Sequence, residues 1–534
     1  MKNFFPVIFF SFTFVLGILL FDDYGISWDE PIQRDLGMAN WNYVLHGDDS
    51  LFHLINKYHG PFVEMIEAAP EKIFHLQDEK TIFLSRHLIN YLIFWLGSIF
   101  LFLSGREMGF ESGAMNYEER ADRTTQNARR TAYNSQLLPL LAVVMVYLTP
   151  RIFAQSFYNS KDIPLLSFFI INIFFLFRFL KKPSFKLAIV FAIVSGMLYT
   201  IRVLAVIIPA LAILFFLLNL LNGNLSKRSL KFLLTYIILF VLFAIAFYPV
   251  MWHDPVDEIQ KSFSTFSHYQ FYDVQFFLGK LIKPQQLPWY YIPVWMGITI
   301  PILWQLFFLA GLVFVVIMVI RTIKNFFRDS WQWLVIAAWL FVPWLMVLLL
   351  HSTVYDEWRH LFFIYPAFIL IAVAGVKMLI DKLNNTRGNF IQVLLRVSCL
   401  VLFTAQSFFV LTFSLKNHPY EYSYFNSLAG KNPQQKFDLD YWGLSYRQAL
   451  EYLVQNAKEE SIKVCWHNSP GYYNLAWLPA RERNRIHEVH FDSADYFLTN
   501  FRFYPEQYTD TAWHTVRVNN FTILAIEKLH SKNH

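Results

Sequence analysis

The sequence predicts a polytopic α-helical membrane protein of about eleven spans, followed by a C-terminal external α/β domain. Three observations carry that prediction. The 534 residues are 55% hydrophobic and 19% aromatic, with a mean hydropathy of +0.35. Only 16% of the residues are charged, far below a soluble chain of this size. The apolar residues fall into long runs up to about residue 414, after which shorter helix-like and strand-like patterns take over.

Taken in order, the apolar runs cover 4–21, 87–104, 136–150, 163–180, 187–201, 203–221, 231–249, 293–320, 332–350, 361–380 and 392–414. Most are long enough to cross about 30 Å of hydrocarbon as helices. The third and fifth are short, and 293–320 is long enough to tilt or to contain a re-entrant start at Pro293 or Pro301. The first run resembles a secretory leader in length. It is followed by "FDDYG" rather than a small-residue cleavage site, so it reads as a retained anchor.

Charge placement orients these spans. With a cytoplasmic N-terminus, the inner connections carry Arg106, Arg120, Arg123, Arg129 and Arg130, then Lys181, Lys182 and Lys186, then Lys227 and Arg228. The last two carry Arg321, Lys324 and Arg328, then Lys382 and Arg387. The short outer connections carry far fewer, so the excess of basic residues marks the cytoplasmic side. The net charge of +6 is therefore read as membrane topology and not as a nucleic-acid footprint. An inner-membrane protein with its C-terminal part in the periplasm follows, dividing the chain into a membrane unit, 1–414, and a soluble unit, 415–534. The latter opens with the amphipathic "YRQALEYLVQNAKEE" and continues with the strand-like "SIKVCW", "DYFLTN" and "FTILAIEKL". Cys399 and Cys465 are the only cysteines, and no disulfide framework is expected.

The polar residues with chemical potential gather on the outer side. Asp29 and Glu30 stand in "GISWDEPIQRDLG", and Asn159, Lys161 and Asp162 in "YNSKDIP". Arg202 lies between two spans, His253 and Asp254 in "MWHDPVDE", and Asp356, Glu357, Arg359 and His360 in "HSTVYDEWRH". Ionisable groups at membrane level are costly and mark functional sites. Each cluster also has a plain structural reading. Ser27 and Glu30 fit a helix capping box ahead of Pro31. Lys161 and Asp162 could simply begin a span, and Arg202 could extend to the interface. The histidines lack the spacing of metal ligands. Adjacent Asp29 and Glu30 could hold a divalent cation, but no complete ligand set is visible and the cofactor is left open.

An acidic pair opening a large first outer loop, an Asp before a later span, and many spans ahead of an external domain resemble the GT-C glycosyltransferases. The likeness is to the protein O-mannosyltransferase and aminoarabinose-transferase branch, called glycosyltransferase family 39-like. "WDEP" at Asp29 and Glu30 is similar to its first acidic motif, Asp162 in "YNSKDIP" to its second acid, and "RHLFFIYP", with Arg359, to a late Arg motif. The resemblance implies a GT-C-like fold and transfer of a sugar from a polyprenyl-phosphate donor to a lipid, protein or glycan acceptor at the outer face. It implies Asp29 as base, with Glu30 or Asp162 orienting, and Lys161, Arg202 and Arg359 around the leaving phosphate. Asn159, His253, Asp254, Glu357 and His360 are further site candidates. The rival expectations are a transporter or flippase, which would carry its charges near the membrane midplane, and a non-catalytic assembly protein acting through 415–534.

Overall fold

The computed structural model describes residues 4–109, 125–267, 273–321, 331–385, 389–504 and 512–529. Arg120, Arg123, Lys324, Arg328 and Arg387, part of the charge-based orientation, lie outside them.

Each apolar run forms helix. Among the described residues seven helices are long and apolar enough to cross a membrane, from Glu79–Glu107 to Gln392–Asn417. Three shorter apolar helices, Phe4–Leu20, Phe185–Ile201 and Ile302–Met318, and one bent pair account for the other runs. Two runs depart from a simple span. The third breaks between Gln136–Tyr147 and Pro150–Tyr158, whose axes differ by 71°. Pro150 supplies no N–H to the preceding turn and opens the second helix, where that loss costs nothing. The run 293–320 divides into Tyr291–Thr299 and Ile302–Arg321. The break falls at Ile300, which is extended because Pro301 follows it.

The first outer loop is itself largely helical, with Glu30–His46 packed on Pro61–Phe74. In the second, strands β1 (Gln275–Phe277) and β2 (Lys280–Ile282) pair in an antiparallel ribbon.

After the helix Asn389–Asn417 the chain forms a five-stranded mixed sheet beside the helix Tyr446–Asn456. Its strands are β3 (Ile462–Trp466), β4 (Ile486–Glu488), β5 (Tyr496–Thr499), β6 (His514–Val518) and β7 (Phe521–Lys528), in the order β4-β3-β5-β7-β6. β3 runs parallel to β4 and β5, while β7 is antiparallel to β5 and β6. β3, β5 and β7 match the strand-like patterns of the sequence. β4 is three residues long, and β6 is an edge strand with one buried side, so neither has a strong apolar run. Both cysteines are free.

The sheet region is bonded to the first outer loop. Asn474 accepts a hydrogen bond from the Ile26 N–H at 2.9 Å and returns one to the Ile26 carbonyl at 2.9 Å. Arg447 donates to the carbonyls of Asp22, at 2.5 Å, and Tyr24, at 3.1 Å. Gly25 is needed for this approach, because a Cβ there would stand 2.6 Å from Asn474 Oδ1 and 2.8 Å from the Leu444 carbonyl. The segment that presents Asp29 is thus aligned by residues more than four hundred positions away.

Candidate active site

Asp29 is the N-cap of the helix Glu30–His46, with Pro31 in its first turn. Its side chain makes no capping bond. The only hydrogen bond to its carboxylate among the described residues comes from Arg359 Nη1, 3.1 Å from Oδ2. Glu30 turns the other way. It accepts from the Ser27 N–H at 2.7 Å, half of the expected capping box, and lies 2.8 Å from His87 Nε2 in a buried cluster. Successive helix positions point about 100° apart, so adjacency in sequence sends the two acids into different environments. Glu30 belongs with buried Glu67 and Arg86 rather than with Asp29.

Arg359 is the hub. From Nη1 it reaches Asp29 and Asp162, the latter at 3.2 Å, and from Nη2 it reaches Asp356 at 3.3 Å. Its guanidinium also lies over the rings of Trp442 and Tyr355. Asp162, fully buried, joins Arg359 to Arg202, whose Nη2 is 2.6 Å from its Oδ1. Asn159 completes this acid's environment, donating to Oδ2 at 3.1 Å and accepting from the Asp162 N–H at 2.9 Å. With both oxygens engaged, Asp162 holds two cations in place. Lys161 sits beside them, and the Gln33 amide in its donating orientation bridges the Lys161 ammonium to Glu64.

These groups line two cavities. One, of about 190 Å³, is bounded by Asp29, Lys161, Arg202, Arg359 and His360, by the apolar end of the helix Trp331–Leu349, including Met346, and by Leu350 just after it. The other, of about 180 Å³, is bounded by Trp28, Gln33, Asp356, Trp442 and Arg502. Asp29, His59, Lys161, Tyr355 and Arg359 belong to both. Asp29 therefore stands at the junction of an apolar-walled cationic cavity and a polar, aromatic one, with its side chain 30% exposed.

Burial opposes ionisation of Asp29, but Arg359 and then Lys161 outweigh it and hold the carboxyl below its usual range. Burial lowers the Lys161 ammonium from its ordinary value, with Asp29 and Glu64 working against the shift. Burial, and then Lys161 and Arg202, push the His59 imidazole far down, leaving it neutral at pH 7.

Three sequence candidates are placed elsewhere. Glu357 is buried in a separate network, paired with Arg151 at 2.7 Å and bonded by Gln155 and Tyr441. Burial pushes its carboxyl up, opposed by Arg151. His253 and Asp254 are exposed. Asp254 accepts from the Asp257 N–H at 3.1 Å at the start of the helix Pro255–Ser267, a local capping role. His360 does line the first cavity, and its Nε2 has no partner among the described residues. Among the described residues no three His, Cys, Asp or Glu side chains converge to hold a metal ion. The sequence did not single out His59, Gln33, Trp28, Trp442 or Arg502. Asp356 stood in a recognised cluster, but nothing in the pattern separated it from Glu357.

No protein-family description and no curated protein matches the sequence. Among solved structures, ArnT from Cupriavidus metallidurans in the apo state aligns with a TM-score of 0.50 at 12% identity, covering 98% of each chain. The chain has the GT-C fold. The apo oligosaccharyltransferase of Archaeoglobus fulgidus aligns over 92% of this chain and 66% of its own, at 11% identity and a TM-score of 0.49. In this GT-C fold the cluster around Arg359 lies where the helices Asp162–Lys181 and Arg359–Leu383 begin, at one end of the apolar helices.

Proposed function

We propose that this protein transfers a sugar from a polyprenyl-phosphate donor to a hydroxyl or amine of an acceptor at the external face of the membrane. The observation that carries the proposal is the position of Asp29 in the shared wall of two chemically different cavities. The donor phosphate enters the first, where Lys161, Arg202 and Arg359 face an apolar wall suited to the isoprenoid chain. The acceptor enters the second. Its nucleophile attacks the anomeric carbon while the bond from that carbon to the phosphate oxygen breaks, and the acceptor proton passes to Asp29. The electron pair of the broken bond leaves on the phosphate, where the fixed cations stabilise it without reorganising. A guanidinium grips such a group through two parallel hydrogen bonds.

A carboxylate held below its usual range is a weak base but a fully ionised one. Glycosyl transfer passes through an oxocarbenium-like transition state in which positive charge develops at the sugar, and a neighbouring carboxylate favours that charge as well. Proton transfer to a positioned group contributes about 10²–10⁴-fold.

The opposite ends of the helices support the orientation. Arg178 and Lys181 pair with Glu107 at the end of the helix Asp162–Lys181 remote from Asp162. That basic end faces the cytoplasm, in the inner membrane, and the site with the region 415–534 faces outward. A passage for solutes would place its charges midway along the spans. Here they sit at helix ends, which supports surface chemistry.

Turnover of radiolabelled polyprenyl-phosphate sugars in proteoliposomes, with membrane extract as acceptor, tests the reading. Transfer by the wild type that collapses in a folded Asp29→Asn variant is the expected result. Equal transfer by both, or none with any donor, overturns it.

A further inference from the structure

Arg502 follows β5 and is almost wholly buried. Its Nη2 lies 2.9 Å from Asp356 Oδ1, while Asp356 Oδ2 accepts from Arg359 Nη2 at 3.3 Å. Charges of alternating sign thus run unbroken from the sheet region into the membrane helices: Arg502, Asp356, Arg359, then Asp29 and Asp162, then Arg202.

The backbone around this ion pair is strained on both sides. Asp356 and Glu357 have φ of 53° and 65°, and Phe501 and Phe503, flanking Arg502, have φ of 61° and 71°. Non-glycine residues adopt this region at a cost, and such strain persists where the surroundings require one side-chain direction. The left-handed pair sends Asp356 toward Arg359 and Arg502 while Glu357 enters the Arg151 network. Tyr441 ties both, its carbonyl accepting from Arg502 and its hydroxyl bonding Glu357. Arg502 also lies over the Trp28 ring, in the wall of the polar cavity.

We propose that Arg502 is a positioning residue for the transfer step. Through Asp356 it sets how much of the Arg359 guanidinium is left to Asp29, so the region after the last membrane helix completes the active site. The role in transfer rests on the glycosyltransferase reading; the coupling between Arg502 and Asp29 does not. Asp356 shares its charge between two cations. Without Arg502 it draws on Arg359 alone, the 3.1 Å bond to Asp29 loosens, and the Asp29 carboxyl becomes easier to protonate. Without the Asp356 charge, Arg359 is left to Asp29 and Asp162, and Asp29 becomes harder to protonate.

The other charged groups around Asp29 are Lys161, His59, Arg202, Asp273 and, across the polar cavity, Arg502 itself, with Asp162 behind Arg359. Beyond Asp356 stands Asp438, which burial pushes up to about 7 against the pull of Arg502.

Carbodiimide labelling reads the protonated fraction of Asp29 without any turnover. The full chain in detergent is labelled between pH 4 and 6, and modification of the Asp29 peptide is quantified by mass spectrometry. Arg502→Gln is expected to label about threefold faster than wild type, equivalent to a shift of roughly half a pH unit. Asp356→Asn is expected to label more slowly, and Arg502→Lys to fall between wild type and Arg502→Gln. In the transfer assay the acid limb of the pH profile moves in the same opposite directions. Unaltered labelling, or shifts of the same sign in Arg502→Gln and Asp356→Asn, overturns the proposal, because a general loosening of the fold would move both alike. If Arg502→Gln does not fold, Arg502→Lys decides: labelling no faster than wild type overturns the proposal. Labelling that shifts as expected with no transfer by the wild type rejects the glycosyltransferase reading alone.

Discussion

Arg359 donates to Asp29 across 330 residues of chain, and the same nitrogen donates to Asp162. The two acids share a cation and differ in everything else. Asp29 keeps a face toward both cavities, whereas Asp162 is fully buried and joined to a second guanidinium.

That difference predicts opposite phenotypes for the same substitution. Asp29→Asn leaves Arg359 two other carboxylates, so thermal unfolding should be nearly unchanged while transfer falls by about 10²–10⁴-fold. Asp162→Asn removes a buried charge between the buried Arg359 and the half-buried Arg202 and should destabilise by about 3–5 kcal/mol. Melting curves of the purified variants separate the two cases.

Arg202 is the cation with the greater share of its surface toward the first cavity, 23% exposed against 3% for Arg359. Loss of one charge-assisted phosphate contact costs about 1.5–3 kcal/mol, so Arg202→Gln should weaken binding of undecaprenyl phosphate at least tenfold. Arg202→Lys restores the charge but not the fork and should recover part of the loss. Native mass spectrometry with the lipid alone measures both.

Gly25→Ala places a methyl group against Asn474 and the Leu444 carbonyl. The first-loop segment must shift, at about 1–3 kcal/mol, and Asp29 with it. Transfer should fall by on the order of 10²-fold, since displacement of a reacting group by about 1 Å has that effect. Transfer and melting temperature measured on the same purified variant check the two figures together.

His418 sits between Asp23, at 2.9 Å, and Glu421, at 2.5 Å. Burial opposes its protonation, but Glu421 and then Asp23 outweigh that and raise it to about 9. A raised folded-state value means the stabilisation is complete below the unfolded histidine's ordinary value and is lost as pH climbs through about 9. The melting temperature of wild type minus that of His418→Asn should therefore be largest near pH 6 and vanish above pH 9.

Much of this architecture is legible in the chain. Hydrophobic run length placed all eleven apolar segments, since lipid leaves helix as the available solution to backbone hydrogen bonding. Charge placement gathered Asp29, Lys161, Asp162, Arg202 and Arg359 on one side, and these five meet. The same reasoning misplaced Glu30 and Glu357, each adjacent to a residue that does reach the cluster. A helical step separates one pair, and two left-handed residues separate the other. Neither is visible as a residue type.

What the sequence determined by itself, then, is the membrane class, the order of the apolar segments and the side on which the polar chemistry collects. These depend on transfer energies and on charge, which are properties of residues taken a few at a time. The tertiary structure alone decided which acid faces the cavities, that Asp162 holds cations, and that Arg502 and Asn474 reach back to the first outer loop and its neighbours. Those outcomes depend on side-chain direction and on contacts between segments hundreds of residues apart, which no local pattern encodes.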